Sequence, residues 1–404
     1  MVSHEHFPTE VKPMLDAYIV SACRTPIGRL GGVLKDLTAS DLGATVVRAA
    51  YQRGQIPPDQ VDEVLMGNVI QAGQGQNPAR QAAMKAGLPS AVPATTVNMV
   101  CGSGLKAVVQ AAQAICLGDA GCLIAGGMSQ APFVLPRNAA NNKMGHLTLL
   151  DLVLHEGLTD AFDGRLMGEL CERLGERYGI SREEQDAFAA KSQHRYVVAA
   201  QADRFADEIM PVTVPVKGGS QIVAQDEHPR PDTTLAGLSR LKPAFAPQGT
   251  ITAGNASGVN DGAAAIAIAS GARVEQWGLH PLARIVSWAS HGTAPELFGI
   301  APAGAVQRAL AKAGLTLNDI GLIEANEAFA VQMLALSQEV GWDLEKVNVN
   351  GGAIALGHPI GASGARILVT LLHEMQRQRS RYGLATLCCG GGMGIAMIVE
   401  SVAA

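Results

Sequence analysis

The 404-residue chain carries 31 basic and 36 acidic residues, a formal net charge of −5, so no basic excess exists to make nucleic acid a main partner. Hydrophobic residues make up 48% and aromatics only 4%, which implies a core of Ala, Val, Ile and Leu with close glycine contacts, α/β in class rather than a β-sandwich. No run of 18 apolar residues is present, Met1 to Leu15 lacks an apolar signal region, and Ser401-Val402-Ala403-Ala404 is not a peroxisomal address; a cytoplasmic protein with no membrane partner is expected.

Residues 1–15 read as a polar arm. Tyr18 to Ala22 reads as a strand, and Leu37 to Arg53 as an amphipathic helix capped at Ser40-Asp41 and closed by Gly54. Val61 to Met66 reads as a strand, and Gln76 to Ala86 as a helix ended by Gly87. Val97 to Val100 is a predicted short strand running into Cys101-Gly102-Ser103-Gly104, and Leu105 to Leu117 the helix after it. Cys122 to Gly127 is a predicted buried strand. Such alternation predicts parallel βα units.

Residues 131 to about 250 are more polar and richer in proline, and read as an insertion that covers something. Its long helix opens on a capping box, Ser181 with Glu184 three residues on. The first pattern then returns: helices over Val306 to Ala313, Ala328 to Glu339 and Ala365 to Gln376, strands over Ile320 to Glu324, Val347 to Asn350 and Ala385 to Cys388. Strand, glycine-rich turn and helix occur in both thirds, each followed by Gly-Gly-Met, at Gly126-Gly127-Met128 and Gly391-Gly392-Met393. This weak repeat suggests two duplicated halves.

The seven cysteines are odd in number and show no Cys-x-x-Cys spacing, which disfavours a disulfide framework and a metal site. Cys101, where a strand gives way to a helix among glycines, has the setting of an activated nucleophile, because the first helical amides favour thiolate. The segment alone equally allows a buried cysteine in a tight turn. His358 sits in the stiff loop Gly357-His358-Pro359 ahead of a helix, a setting suited to a general base. Cys388-Cys389-Gly390-Gly391-Gly392 lacks the Lys-Ser/Thr of a phosphate loop; its glycines can instead expose a backbone N–H to an oxyanion. Asn326-Glu327 either caps a helix or points an amide at a reacting carbonyl.

These segments, with Arg24-Thr25-Pro26-Ile27-Gly28 and Thr252 to Gly262, resemble the thiolase family over nearly the whole chain after Met14. The resemblance implies a thiolase fold: two duplicated αβα halves in a five-layer αβαβα arrangement plus an inserted loop domain. Residues 16–130 with 261–279 would form the half carrying the nucleophile. Residues 131–260 would form the loop domain that binds coenzyme A, and 280–404 the half carrying the histidine and second cysteine. It implies reversible Claisen condensation and thiolysis of 3-ketoacyl-CoA through an acyl-cysteine, in fatty acid metabolism. Cys101 would be the nucleophile, His358 its activator and Cys388 the acid/base at Cα. Asn326 would orient a water for one oxyanion hole; the N–H groups of Cys101 and Gly390 would form the other. Arg230, Ser257, Ala253, Met167 and Phe245 would contact coenzyme A. That molecule would be a substrate, with no further cofactor and no metal, and the chain would assemble as a dimer or a dimer of dimers. Leu166 stands before Met167-Gly168 where acetoacetyl-CoA-specific members have histidine, and Glu169 to Arg173 also depart from the family pattern, so longer or branched chains are expected to fit.

A decarboxylating ketoacyl synthase shares this fold but would use two histidines. A degenerate carrier-binding module would lack at least one of Cys101, His358 and Cys388, and all three are present.

Overall fold

The computed structural model describes residues 15–130, 134–136 and 149–402. Apart from Leu15, the arm expected at residues 1–15 lies outside the described residues, as does most of the stretch that opens the insertion.

One continuous path of strands runs through the molecule, in the order 322–325, 382–389, 393–401, 283–292, 17–24, 260–270, 122–129, 63–67 and 94–97. The two halves of this path meet only where Tyr18 pairs with Arg284 and Ile19 with Ala283. Parallel pairing joins 63–67 to both 94–97 and 122–129, and 322–325 to 382–389, as βα units require. Strands 260–270, 283–292 and 393–401 are antiparallel to their neighbours, and the helical periodicity of the sequence did not reveal them. The strand Asn260–Ser270 is buried at every residue, so its sequence shows no polar alternation.

Helices Ser103–Leu117 and Ser363–Gln378 pack on each other in the middle layer. Helices Ala39–Arg53 and Pro78–Lys85 cover the outer side of the first half, and Ala301–Ala313 covers that of the second. The result is the expected helix–sheet–helix–sheet–helix layering, with the largest cluster of buried side chains between the central helices and both sheets. Val100–Leu117 is apolar and long enough by composition to cross a bilayer, but here it includes the central packed helix.

The duplication is visible where the central helices begin. Gly104 and Gly364 allow the two N-termini to cross: a Cβ on Gly104 would lie 2.8 Å from Ala365 N, and one on Gly364 2.5 Å from Leu105 N. The paired sequence is therefore Ser103-Gly104 with Ser363-Gly364, not the two Gly-Gly-Met segments. Gly126 and Gly127 lie inside a strand, whereas Gly391 and Gly392 form a turn, both at φ +81°.

Three local expectations are corrected. Thr38, not Ser40, caps the first helix, in a reciprocal pair with Asp41. The strand before Cys101 ends at Val97, and residues 98–102 form the turn itself. Val347 to Asn350 is not a strand: Asn348 stands at φ +50°, and its side-chain amide pairs with both N–H and C=O of Ala325 at 2.8 Å. A side chain thus completes the edge that a strand was expected to cover.

Two buried arginines tie the layers together. Arg24 reaches Glu208 at 2.6 Å and Asp226 at 2.7 Å, fastening the insertion to the first strand. Arg366, three residues after Ser363, meets Glu324 at 3.3 Å, linking a central helix to the strand that leads to Asn326. Burial pushes the Glu324 carboxyl up to about 8 despite Arg366. Removing Arg366 leaves the Glu324 carboxyl buried without its hydrogen bond, so Arg366→Met is expected to cost about 2 kcal/mol of unfolding free energy, with partial recovery on adding Glu324→Met. Urea unfolding checks this; an unchanged midpoint in Arg366→Met contradicts it.

Candidate active site

Cys101 sits in a strained turn at the foot of the first central helix. Val100, a β-branched residue, stands at φ +49°, a conformation that costs about 1–3 kcal/mol and is held by its surroundings. The brace is Ser103, whose Oγ accepts from Met99 N–H at 2.9 Å and donates to Val100 O at 2.6 Å. The sulfur of Cys101 lies within hydrogen-bonding reach of the Gly390 N–H and its own N–H. Burial outweighs these amides and pushes the thiol up to about 11, so the resting group is protonated and needs a base.

His358 lines the same cavity as Cys101 and is the candidate for that base. Its backbone N–H donates to Asn260 Oδ1 at 2.9 Å, and Asn260 in turn donates to Gly28 O, which fixes the loop. The Ser363 hydroxyl donates its one proton to Pro359 O at 2.9 Å, so it accepts from His358 Nδ1–H at 2.5 Å. That leaves Nε2 as the basic nitrogen. The related serines of the two halves therefore do related work: Ser103 braces the cysteine turn and Ser363 orients the histidine. Sequence reasoning assigned neither a role, although the repeated Ser-Gly was the signal.

Burial, helped by the Arg366 charge, lowers His358 from 6.5 to about 4. The free base therefore persists well below neutrality. The kcat/KM for acyl transfer is expected to stay level from neutrality down to about pH 5. An acid limb with an apparent pKa at or above 6.5 contradicts the assignment of His358 as a buried neutral base.

Cys101, His358, Gly390, Ser257, Met167 and Phe245 line one cavity of about 180 Å³, as does Leu166. Its other walls, among them Leu154, Phe298 and Ile360, come from segments far apart in the chain and were not foreseen. Cys388 and Asn326 do not line this cavity. Cys388 is fully buried behind it, in a cluster against which the wall residues Met167, Phe245 and Phe329 pack. Burial, then the nearby Cys101, holds its thiol far above the ordinary range.

Successive strand residues face opposite ways. Cys389 accordingly packs into the central core, and a Cβ on Gly102 would lie 2.6 Å from its sulfur. Cys388 is thus the cysteine of the pair on the cavity side. Asn326 is 1% exposed, and neither atom of its side-chain amide has a partner among the described residues. It caps no helix, since the following helix starts from Phe329. Arg230 and Ala253 lie together outside the cavity lining, with Arg230 Nη1 donating to Ala253 O at 3.3 Å. A larger open groove near Glu172 and Thr250 holds none of these residues, and the Glu172 carboxylate there is engaged by Thr250 and Ile251.

A cysteine and a neutral histidine on an apolar cavity, with a second thiol buried behind its wall, on a duplicated five-layer α/β fold, make a site suited to covalent acyl transfer. The thiolase N-terminal domain model matches residues 17–272, and the thiolase C-terminal domain model residues 279–401. The chain belongs to the thiolase family. An acetyl-CoA acetyltransferase of Chromobacterium violaceum is 53% identical over 96% of this chain and 100% of its own length. One from Escherichia coli is 54% identical over 96% of this chain and 99% of its own. Among solved structures, the Bacillus anthracis acetyl-CoA acetyltransferase superposes with a TM-score of 0.94 at 42% identity, covering 96% of this chain and all of that one. Human mitochondrial 3-ketoacyl-CoA thiolase gives 0.92 at 44%, covering 96% and 99%.

Proposed function

We propose that this thiolase catalyses the reversible Claisen condensation and thiolysis of 3-ketoacyl-CoA, with Cys101 carrying the acyl group. The observation that carries the reading is the convergence of Cys101, His358 and the Gly390 amide on one apolar cavity, with Cys388 directly behind it. Family membership and relatives named as acetyl-CoA acetyltransferases and 3-ketoacyl-CoA thiolase support it.

In thiolysis, His358 Nε2 takes the Cys101 proton as sulfur attacks the 3-keto carbon. The developing alkoxide is stabilised by fixed amide donors, which typically contribute roughly 3–4 kcal/mol per donor. The C2–C3 bond breaks, and the departing α-carbon of acetyl-CoA takes its proton from Cys388. The Cys388 thiolate then takes the proton of the incoming coenzyme A thiol. Coenzyme A sulfur attacks the acyl-cysteine, and Cys101 recovers its proton from the imidazolium. Condensation is the reverse.

Every proton is accounted for by Cys101, His358, Cys388 and substrate, so the proposal needs no prosthetic group. Coenzyme A is a substrate, and the chain is proposed to act in the cytoplasm as a dimer or tetramer. Thiolysis of acetoacetyl-CoA by free coenzyme A tests the reading: acetyl-CoA should accumulate at two molecules per molecule consumed. No acetyl-CoA from purified protein would contradict it.

A further inference from the structure

We propose that Glu327 is a positioning residue: its carboxylate, buried outside the cavity lining, sets the Asn326 turn against the loop that carries His358. The proposal rests on the thiolase reading above and concerns the alignment of two groups of that same site.

Glu327 is 1% exposed and is not among the residues that line the cavity, so its influence on the reaction passes through other groups. Its two oxygens gather three separate elements. Ser192 Oγ, on the long helix of the insertion, donates at 2.7 Å, Asn348 Nδ2 at 2.9 Å and the Ile354 N–H at 3.1 Å. Ile354 belongs to the short helix Ala353–Leu356, which runs directly into Gly357 and His358. Gly352 has no room for a side chain, because a Cβ there would overlap the carboxylate. Asn348 in turn holds both N–H and C=O of Ala325, the residue before Asn326. One carboxylate therefore grips the lead-in to His358 and both sides of Asn326.

Asn326 depends on such a grip. Neither atom of its amide has a partner among the described residues, so its backbone sets where the amide stands. Its own N–H donates to Thr386 O at 3.1 Å, on the strand that leads to Cys388. On the other side of Glu327, Ala328 O accepts from both the N–H and the Oγ–H of Ser257 at 3.0 Å. Ala328, Ser257 and His358 all line the cavity.

The place of Glu327 accepts only an acceptor. Ser192 spends its one proton on Glu327, and its oxygen receives the Gly352 N–H at 3.1 Å. The Asn348 amide is pinned in orientation by Ala325, and Ile354 offers a backbone N–H. None of the three can reverse, so an ionised carboxylate fits and an amide does not. Burial opposes the charge and raises the carboxyl above its ordinary range, while the three donors and the Arg366 charge favour ionisation.

The test is thiolysis of acetoacetyl-CoA by wild type, Glu327→Gln, Asn326→Ala and the double variant. Glutamine keeps the shape but turns an NH2 toward Asn348 or toward Ser192 and Ile354. Glu327→Gln is expected to lower kcat by about 30-fold with KM within about threefold of wild type. In the Asn326→Ala background the same substitution is expected to cost less than about threefold, because the group it aligns is gone. Ser192→Ala removes one donor and sets no two donors against each other; it is expected to lower kcat by about fivefold, again only where Asn326 is present. If Glu327→Gln does not fold, Ser192→Ala decides by the same comparison. An equal loss in both backgrounds marks a merely structural residue and overturns the proposal, as does turnover of the folded variants within about twofold of wild type. Absence of thiolysis by wild type overturns the thiolase reading itself.

Discussion

Cys101→Ala is expected to abolish acyl transfer, lowering kcat by about four orders of magnitude or more, while the protein remains folded. The removed atom is a single sulfur at the mouth of a turn that Ser103 holds through Met99 and Val100. Alanine leaves those hydrogen bonds in place, so the thermal transition should move little. Among the described residues that line the cavity, no other thiol is present to replace the nucleophile. Cys388 is fully buried behind the wall, and its thiol is held protonated by burial and by the proximity of Cys101. Turnover near that of wild type in the alanine variant would sink the covalent mechanism.

Cys388→Ala is expected to separate the two chemical steps. Acylation of Cys101 by acetyl-CoA makes and breaks no bond at Cα, and without Cys388 the departing coenzyme A thiolate can take the proton that His358 received from Cys101, so acyl-enzyme should still form. Carbon–carbon bond making and breaking needs a proton at Cα, so condensation and thiolysis should fall by about 10³-fold. Cys389→Ala is the matched control. Its sulfur packs against Gly102 in the central core, so that variant is expected to lose some stability and keep the two-step chemistry. Intact-protein mass after exposure to acetyl-CoA, measured beside thiolysis rates, reads both quantities. Loss of acylation in Cys388→Ala would show that the roles of the two thiols are wrongly divided.

The chemistry of this site was more legible than its walls. Gly102-Ser103-Gly104 after Cys101, and Gly357-His358-Pro359, mark the site's turns: Gly357 stands at φ +103°, and Gly102 and Gly104 leave room for close neighbours, although the left-handed residue of the cysteine turn is Val100. The order of the three reactive residues along the chain then carried the family resemblance. Strands 260–270 and 393–401 were harder to read, because buried Ala- and Ile-rich strands have neither alternation nor helical periodicity, whereas 283–292 alternates in burial but turns Ser287 inward and Val286 and Trp288 outward, which hides the pattern. Val347 to Asn350 misled for a definite reason: the Val-x-Val pattern suggests a strand, whereas Asn348 does a strand's pairing with its side-chain amide. The cavity wall formed by Val100, Met167 and Gly390 is a tertiary juxtaposition, and no local pattern encodes it. The pairing of Ser103 with Ser363 was present in the repeat, but its meaning depends on the helix crossing at Gly104 and Gly364.

The most direct test is to mix the protein with acetoacetyl-CoA in the absence of free coenzyme A, digest it, and locate any acetyl group by peptide mass spectrometry. The account predicts one acetyl group, on the peptide containing Cys101, that disappears when coenzyme A is added. An acetyl group on Cys388 instead, or none on any cysteine, would contradict it.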